Sequence, residues 1–349
     1  MTESATEPSV EITRMMDGAV IAQLIHLVAE LGVADVVDGA RSVDELASFT
    51  GTEPEALYRA LRTLASIGVF TEVAPRTFDL TSLAVPLRSD AEDSVRELAT
   101  VRGSREHWLA LGELRHSLCT GRSAFARAYG TDWWSYLDEN PEHAAKFSKA
   151  MGDNFAQVHA AAAGASDFPD TKLLVDIGGG RGDLVATLLQ RHPAMHAVVF
   201  DRPHAVADAA ELLQSAGVAD RAQVTAGDFF EGVPEGGDTY VLCRILHDWD
   251  DQQAAHIMSN VADVLPAGGR VVVIEAVVPE GDESHPAKLM DITMLAMHKG
   301  KERSESEFAA LFESAGLRHV RTLHTNAQIS VLIAEVDRTT KVQEKPPSQ

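Results

Sequence analysis

The sequence predicts an α/β protein in two parts: a mostly helical region built on a winged helix, then a doubly wound parallel sheet ending in an antiparallel hairpin. Three observations predict it. Short apolar runs alternate with helical stretches over residues 166–337. The first of these runs leads into Asp176-Ile177-Gly178-Gly179-Gly180-Arg181-Gly182-Asp183, a glycine loop of the kind that ends a strand and opens a helix. Finally, Thr325-Asn326-Ala327 joins the last two runs and is too short for a parallel crossover, so those strands must be antiparallel.

Length and charge agree with this division. The chain has 349 residues, which suits two domains at roughly 150 residues each. Hydrophobic residues make up 45% and charged residues 23%, a globular composition. The formal net charge is −22 and no basic patch stands out, which argues against nucleic acid or an anionic membrane as partner. Two cysteines cannot form a disulfide framework or a four-cysteine zinc site. Met1 to Ile12 carries three glutamates and no Lys or Arg, unlike a signal peptide. The apolar run Ala19–Val37 is interrupted by Gln23, His26, Glu30 and Asp35, which reads as too polar to span a bilayer. A cytoplasmic protein is expected.

Taken in order, Val20, Leu24, Leu27, Val28 and Leu31 recur at helical spacing up to Gly32. Ser42 with Glu45 forms a capping box for a short helix closing near Gly51. A third helix starts at about Pro54, turns Leu57, Leu61, Leu64 and Ile67 inward and stops at Gly68. Extended pieces 69–73 and 77–80 follow, separated by a turn. Three helices and a hairpin make a winged helix. As a DNA reader it would be poorly equipped: Arg59 and Arg62 face the offset of Glu53 and Glu55, and the wing adds only Arg76. A dimerisation or substrate-covering role is expected instead.

Residues 92–163 read as helical with a break at 121–131. They hold Trp108, Phe125, Tyr129, Trp133, Trp134, Tyr136, Phe147 and Phe155, most of them expected in a helical core. Strands are expected at 173–175, 197–200, 222–225, 239–242, 271–275, 317–323 and 329–335, with helices at about 183–191, 204–215 and 251–264. The polar tail 338–349, with Pro346-Pro347, is expected to be disordered.

The glycine loop fits neither the dinucleotide fingerprint nor the phosphate-cradling loop. An acid ahead of the glycines, with no lysine inside, suits a ligand bearing an amine and a positive sulfur, S-adenosylmethionine; a structural turn or another nucleotide is the alternative. Asp201, after the second strand, could accept both ribose hydroxyls or cap the next helix. Asp228 and Phe229 follow the third strand, where they could meet the adenine amino group and ring. After the fourth strand comes Cys243-Arg244-Ile245-Leu246-His247-Asp248-Trp249, which puts His247 where a general base belongs. Glu275 and Glu302 are each a candidate to hold the imidazole, or else a surface charge. No spacing suggests a metal site.

The segments Asp176–Gly182, Gly227–Glu231, His247-Asp248-Trp249 and Gly300-Lys301-Glu302-Arg303 resemble the small-molecule O-methyltransferases of the plant caffeic-acid type and their bacterial relatives in antibiotic and pigment biosynthesis. The resemblance spans nearly the whole chain. It implies a class I methyltransferase sheet over 166–337, a winged-helix domain over 1–100 that forms an intertwined homodimer, and a helical linker over 101–165 that lines the substrate site. It implies S-adenosylmethionine as cofactor, held by Asp176, Gly178, Gly180, Asp201, Asp228, Phe229 and Arg244. It makes His247 the base and Glu275 and Glu302 its supporting carboxylates. Phe147, Met151, Asn154, Asp248, Asp291 and Met294 are expected to face the acceptor. Cys243 stands where many members have Lys. The expected activity is methylation of a hydroxyl on a small aromatic natural product. The alternatives are carbon methylation, a repurposed hydroxylase or decarboxylase, or a cofactor-sensing transcription regulator.

Overall fold

The computed structural model describes residues 7–154, 156–165, 168, 170–325 and 328–336. Its contacts divide the chain into two compact units, residues 1–108 with 149–154, and 109–148 with 155–349. The boundary lies beyond the expected residue 100. The last turn of a later helix joins the first unit, where Lys149 pairs with Glu97 at 3.0 Å.

In the first unit, helix α1 runs Pro8–Glu30 and opens on a proline, whose missing N–H is no loss in a first turn. A short α2 follows at Val33–Val36, after Gly32 in the left-handed conformation. The Ser42–Glu45 capping box forms as expected and opens α3, Val43–Thr50. Glu53 caps α4, Pro54–Ser66, by accepting from two backbone amides. The wing is one strand larger than expected: β1 (Arg41–Ser42) pairs with β3 (Thr77–Leu80), which pairs with β2 (Phe70–Ala74). Val28, Leu46, Leu61, Leu64, Phe70 and Phe78 fill the core of this unit. Arg96–Arg102 forms α5.

Helix α1 begins at Pro8, ahead of the run 19–37 that reads as too polar for a bilayer, and over Pro8–Glu30 it is long and apolar enough to cross one by length and composition. Val10, Ile12, Met15, Met16 and Val20 are exposed along it.

Helices α6 (Arg105–Gly112), α7 (Leu114–Thr120), α8 (Ala124–Tyr129), α9 (Trp133–Glu139), α10 (Pro141–Asn154) and α11 (Ala156–Ala165) follow. The stretch 121–131 is not a continuous break. It holds α8 between glycines 121 and 130, both left-handed. Phe125, Trp133 and Leu137 are buried in one cluster against which Tyr129, Trp134, Tyr136 and Phe147 pack, as the core reading expects. Phe155 lies outside the described residues.

The seven-stranded sheet has the order β6-β5-β4-β7-β8-β10-β9. Its strands are β4 (Leu173–Ile177), β5 (His196–Asp201), β6 (Ala222–Ala226), β7 (Thr239–Cys243), β8 (Arg270–Glu275), β9 (Leu317–His324) and β10 (Ser330–Val336). The first five are parallel, and β10 is antiparallel to both β8 and β9. Helices α12 (Asp183–Arg191), α13 (Ala209–Ser215), α14 (Asp251–Val264), α15 (Pro286–Met297) and α16 (Glu305–Ser314) complete the unit. Alternate residues of each buried strand serve opposite faces. Leu174, Val199 and Val241 meet α12 and α13, while Val175, Tyr240 and Leu242 meet α14 and α16. The helix expected at 204–215 begins only at Ala209, because Arg202 and His204 turn aside to pair with Asp138, each at 2.8 Å. The tail 338–349 lies outside the described residues. Strand order reverses between β4 and β7, the crevice where open α/β sheets bind ligands.

Candidate active site

The glycine loop leaves β4 with Gly178, Gly180 and Gly182 at φ of 73°, 52° and 83°, values that favour glycine. A Cβ on Gly178 would overlap the Ile245 side chain. The loop is tied to the next strand: the amides of Gly178 and Gly179 donate to Phe200 O at 2.8 and 3.2 Å. Asp201 completes the tie. Its Oδ2 accepts from Gly180 N at 2.9 Å and its Oδ1 from Arg202 N at 2.7 Å. Held by both oxygens, the carboxylate keeps lone pairs for further donors.

Asp176 is different. It is 1% exposed, and neither carboxylate oxygen has a hydrogen-bond partner among the described residues. Burial, then the charges of Asp201 and Asp183, push its pKa up to about 8. An unpartnered buried acid is costly unless something pairs with it, and a cationic ligand group suits it. The loop's arginine, Arg181, forks onto Asp183 at 3.0 and 3.2 Å. Asp228 accepts from Phe230 N at 2.8 Å, and Phe229 stands beside Phe230 and Trp249, ring centroids 5.0 and 5.8 Å away. Acids at the ends of β4 and β5 and just past β6, with an aromatic ring beside the last, fit a cofactor that carries a cation, a ribose and a base.

The second half of the site hangs on β7. Arg244 takes a left-handed φ of 58°, turning the chain out of the strand. Residues Leu246–Asp248 then form one helical turn that carries His247. His247 Nδ1 lies 2.9 Å from Glu302 Oε1. His247 and Arg244 outweigh the burial of Glu302 and hold its pKa low, so the carboxylate only accepts. That assigns the proton to Nδ1 and the lone pair to Nε2, the arrangement a general base needs. Glu275 acts elsewhere, accepting from the backbone N–H of His247 at 3.3 Å. Burial and Arg244 lower the His247 pKa, but Asp248, Glu275 and Glu302 outweigh them and leave it raised.

Arg244 has partners that its expected place among cofactor contacts does not suggest. Its guanidinium reaches Glu302 Oε1 at 3.3 Å and Glu275 Oε2 at 3.6 Å. His247, Glu275 and Glu302 have ligand atoms within 4.8 Å of one another, close enough to hold a metal ion. The guanidinium lies on both carboxylates and already supplies positive charge there. Burial, helped by Asp176 and Glu275, raises the Cys243 thiol well above its ordinary pKa, so it is neutral.

Two supports escaped the sequence reading, although both lie in the quoted motif. Arg303 is 1% exposed and staples the base-bearing loop, donating to Leu246 O at 2.7 Å, Trp249 O at 2.9 Å and Asp251 Oδ1 at 2.9 Å. Gly300 lies flat on the same loop, where a Cβ would overlap His247 O. Among the expected acceptor-facing residues, Asp291 accepts from Glu302 N at 2.9 Å and so fixes the loop of that carboxylate. Met294 is buried on α15. Phe147 sits edge-on to Trp133 and Trp134 at 5.4 and 6.1 Å. Asp248 is buried, its Oδ1 3.5 Å from His247 Nε2. Met151 and Asn154 lie on the turn of α10 grouped with the first unit; the side chain of Asn154 lies outside the described residues.

Residues 111–318 match the family described as O-methyltransferase domain, and residues 13–89 match the O-methyltransferase dimerisation domain. The chain belongs to the S-adenosylmethionine-dependent O-methyltransferases. It is 39% identical to the phenazine O-methyltransferase of Lysobacter antibioticus over 93% of this chain and 95% of that one. It is 36% identical to the mitomycin biosynthesis 6-O-methyltransferase of Streptomyces lavendulae, covering 94% of each. A solved O-methyltransferase from neocarzinostatin biosynthesis, bound to S-adenosylmethionine and 2-hydroxy-5-methyl naphthoic acid, superposes with a TM-score of 0.80 at 33% identity, covering 90% of this chain and 96% of that one. The O-methyltransferase thus has the class I sheet and winged-helix dimerisation domain that the motifs imply. The exposed Met15, Met16 and Val20 of α1 fall within the dimerisation match.

Proposed function

We propose that this O-methyltransferase methylates a hydroxyl of a small aromatic acceptor, with His247 as general base. The observation that carries the reading is the Nδ1 contact of His247 with Glu302 at 2.9 Å, which assigns Nε2 as the basic nitrogen. The acceptor class rests on the relatives: one is named for phenazine, and one was solved with a hydroxynaphthoic acid.

S-adenosylmethionine, when bound, supplies an electrophilic methyl group on a positively charged sulfur. In this reading Asp176, Gly178, Gly180, Asp201, Asp228 and Phe229 hold it, and Arg244 acts on the site through Glu275 and Glu302. The remaining work belongs to the chain. A phenol has a pKa near 10 and free histidine about 6.5, so full proton transfer ahead of methylation would be uphill. Glu302 offsets part of this by stabilising the imidazolium as it forms. Nε2 takes the hydroxyl proton while the oxygen gains its methyl. Phe147 and Met294 give the acceptor apolar walls. The test is a methyl-transfer assay against catechols, naphthoates and polycyclic phenols, with the product bond identified. An O-methyl ether supports the reading, whereas products methylated only at carbon or nitrogen refute it.

Two expected results follow. Asp201→Ala should weaken S-adenosylmethionine at least about tenfold in calorimetry, since lost hydrogen bonds of this kind cost roughly 1–3 kcal/mol. The variant also frees the amides of Gly180 and Arg202. Unchanged affinity would remove Asp201 from the cofactor site. The second concerns assembly. Light scattering should give twice the monomer mass, because a domain of about 90 residues has a limited core of its own and α1 exposes Val10, Ile12, Met15 and Met16. A fully active monomer at nanomolar concentration would contradict it.

A further inference from the structure

Asp248 faces two imidazoles. Its Oδ1 lies 3.5 Å from Nε2 of His247 and 3.8 Å from Nε2 of His298. All three side chains are largely closed to solvent, at 11%, 8% and 6% exposed respectively. His298 follows directly on α15 and is held by aromatic rings, stacked on Trp134 at 5.2 Å and edge-on to Trp133 at 6.2 Å. Its amide donates to Met294 O at 2.9 Å. Its neighbour Lys299 reaches away to Asp250 at 2.6 Å. The other charged groups acting on Asp248 are Arg244, Glu275 and Glu302.

This arrangement bears on the base. An ionised carboxylate beside Nε2 favours the protonated imidazole, and a base already protonated cannot take a proton from the acceptor. Undivided, the pull of Asp248 would work against His247. A second imidazole on the same oxygen divides that pull. Burial pushes the Asp248 pKa up to about 6, His247 opposing, and the second imidazole stands 3.8 Å from the same oxygen.

We propose that His298 is a positioning residue for catalysis, which shares Asp248 with His247 and so limits the pull of that carboxylate on Nε2, the nitrogen that faces the acceptor hydroxyl in the proposed mechanism. The proposal rests on the reading of His247 as general base. In the step it serves, the acceptor O–H bond breaks and an Nε2–H bond forms on His247.

The test uses the full-length enzyme and the variants His298→Phe, His298→Gln, Asp248→Asn and the double variant His298→Phe/Asp248→Asn. The first readout is the titration of His247 by NMR with labelled histidine, assigned by its loss in His247→Gln. It needs no acceptor, so it stands even if no aromatic hydroxyl proves to be methylated. The second is the pH profile of turnover on the best acceptor of the panel. Both His298 variants should raise the His247 midpoint by about one unit. The acid limb of the profile should move up equally, so that activity lost near neutral pH returns at higher pH. Asp248→Asn should lower the midpoint, and the double variant should titrate like Asp248→Asn. Three outcomes overturn the proposal: an unmoved His247 midpoint in the His298 variants, the same rise with Asn already at 248, or turnover that falls equally at every pH. Failure of the acceptor panel with the NMR shifts intact would instead count against the proposed function alone.

Discussion

Replacing His247 by alanine is expected to lower the methyl-transfer rate by about 10²–10⁴, the usual worth of a positioned general base, while cofactor affinity stays within about threefold. The reason is local. Nδ1 of the imidazole lies 2.9 Å from Glu302 Oε1, and in the proposed mechanism the other nitrogen accepts the proton. The loop itself is held by Arg303, whose bonds go to Leu246 O, Trp249 O and Asp251 and do not involve the ring. Removal of the ring therefore spares the scaffold. Three neighbouring carboxylates raise the His247 pKa, so the wild-type rate should climb with pH through a midpoint above that of an ordinary histidine, and the variant should lose that climb. Stability follows the opposite course. The raised pKa contributes stability that is present at low pH and lost as pH rises through the folded value, so the stability gap between wild type and His247→Ala narrows on alkalinisation. Glu302→Gln should lose less rate, because it orients the base and accepts no proton from the acceptor. A phenol of ordinary acidity is the right probe. Near wild-type turnover of His247→Ala on such a phenol would show that proximity alone drives the reaction.

Arg244→Met is expected to cost stability more than any other single change near the site. The guanidinium lies on Glu275 and Glu302, which are 0% and 4% exposed. Breaking a buried ion pair by removing one partner costs about 3–5 kcal/mol, because a buried charge is left uncompensated. The pH dependence has a definite sign. In the wild type Glu302 has a lowered pKa, so its contribution is present above its unfolded pKa and is lost as pH falls through the folded value. Without Arg244 both carboxylates shift upward, and a raised carboxylate destabilises at neutral pH and recovers on protonation. The deficit of the variant should thus be largest at neutral pH and shrink toward acid, as measured by urea unfolding at several pH values. A deficit below about 1 kcal/mol, or one independent of pH, would mean that the two glutamates do not rely on Arg244.

Much of the architecture was legible because it is written in short-range chemistry. Ser42 and Glu45, three residues apart, form their capping box as read. The bounds of α12 and α14 fall where periodicity and caps put them. The alternative at Asp201 proved harder. Each of its oxygens accepts one bond, from Gly180 N and Arg202 N, one from the glycine loop and one from its own strand end, and only the second is local. Beyond Asp201, Asp138 from a distant helix holds Arg202 and His204 in turns and delays α13 to Ala209.

The sequence by itself determined the family, the order of strands and helices, the antiparallel end of the sheet and which residue types gather at the strand ends. Capping boxes, glycines with positive φ and apolar periodicity act over a few residues, and the motifs that carry the family are contiguous. Only the tertiary structure decided how the site is wired. Glu275 and Glu302 lie 28 and 55 residues from His247 and were equal candidates for its imidazole; folding gave the ring to Glu302 and the backbone amide to Glu275. It also set Arg244 between the two carboxylates and brought His298 to the oxygen of Asp248 that faces His247. These are contacts between groups far apart in the chain, decided by how the loop after α15 meets the carboxyl ends of the central strands β7 and β8, and no spacing in the sequence encodes them.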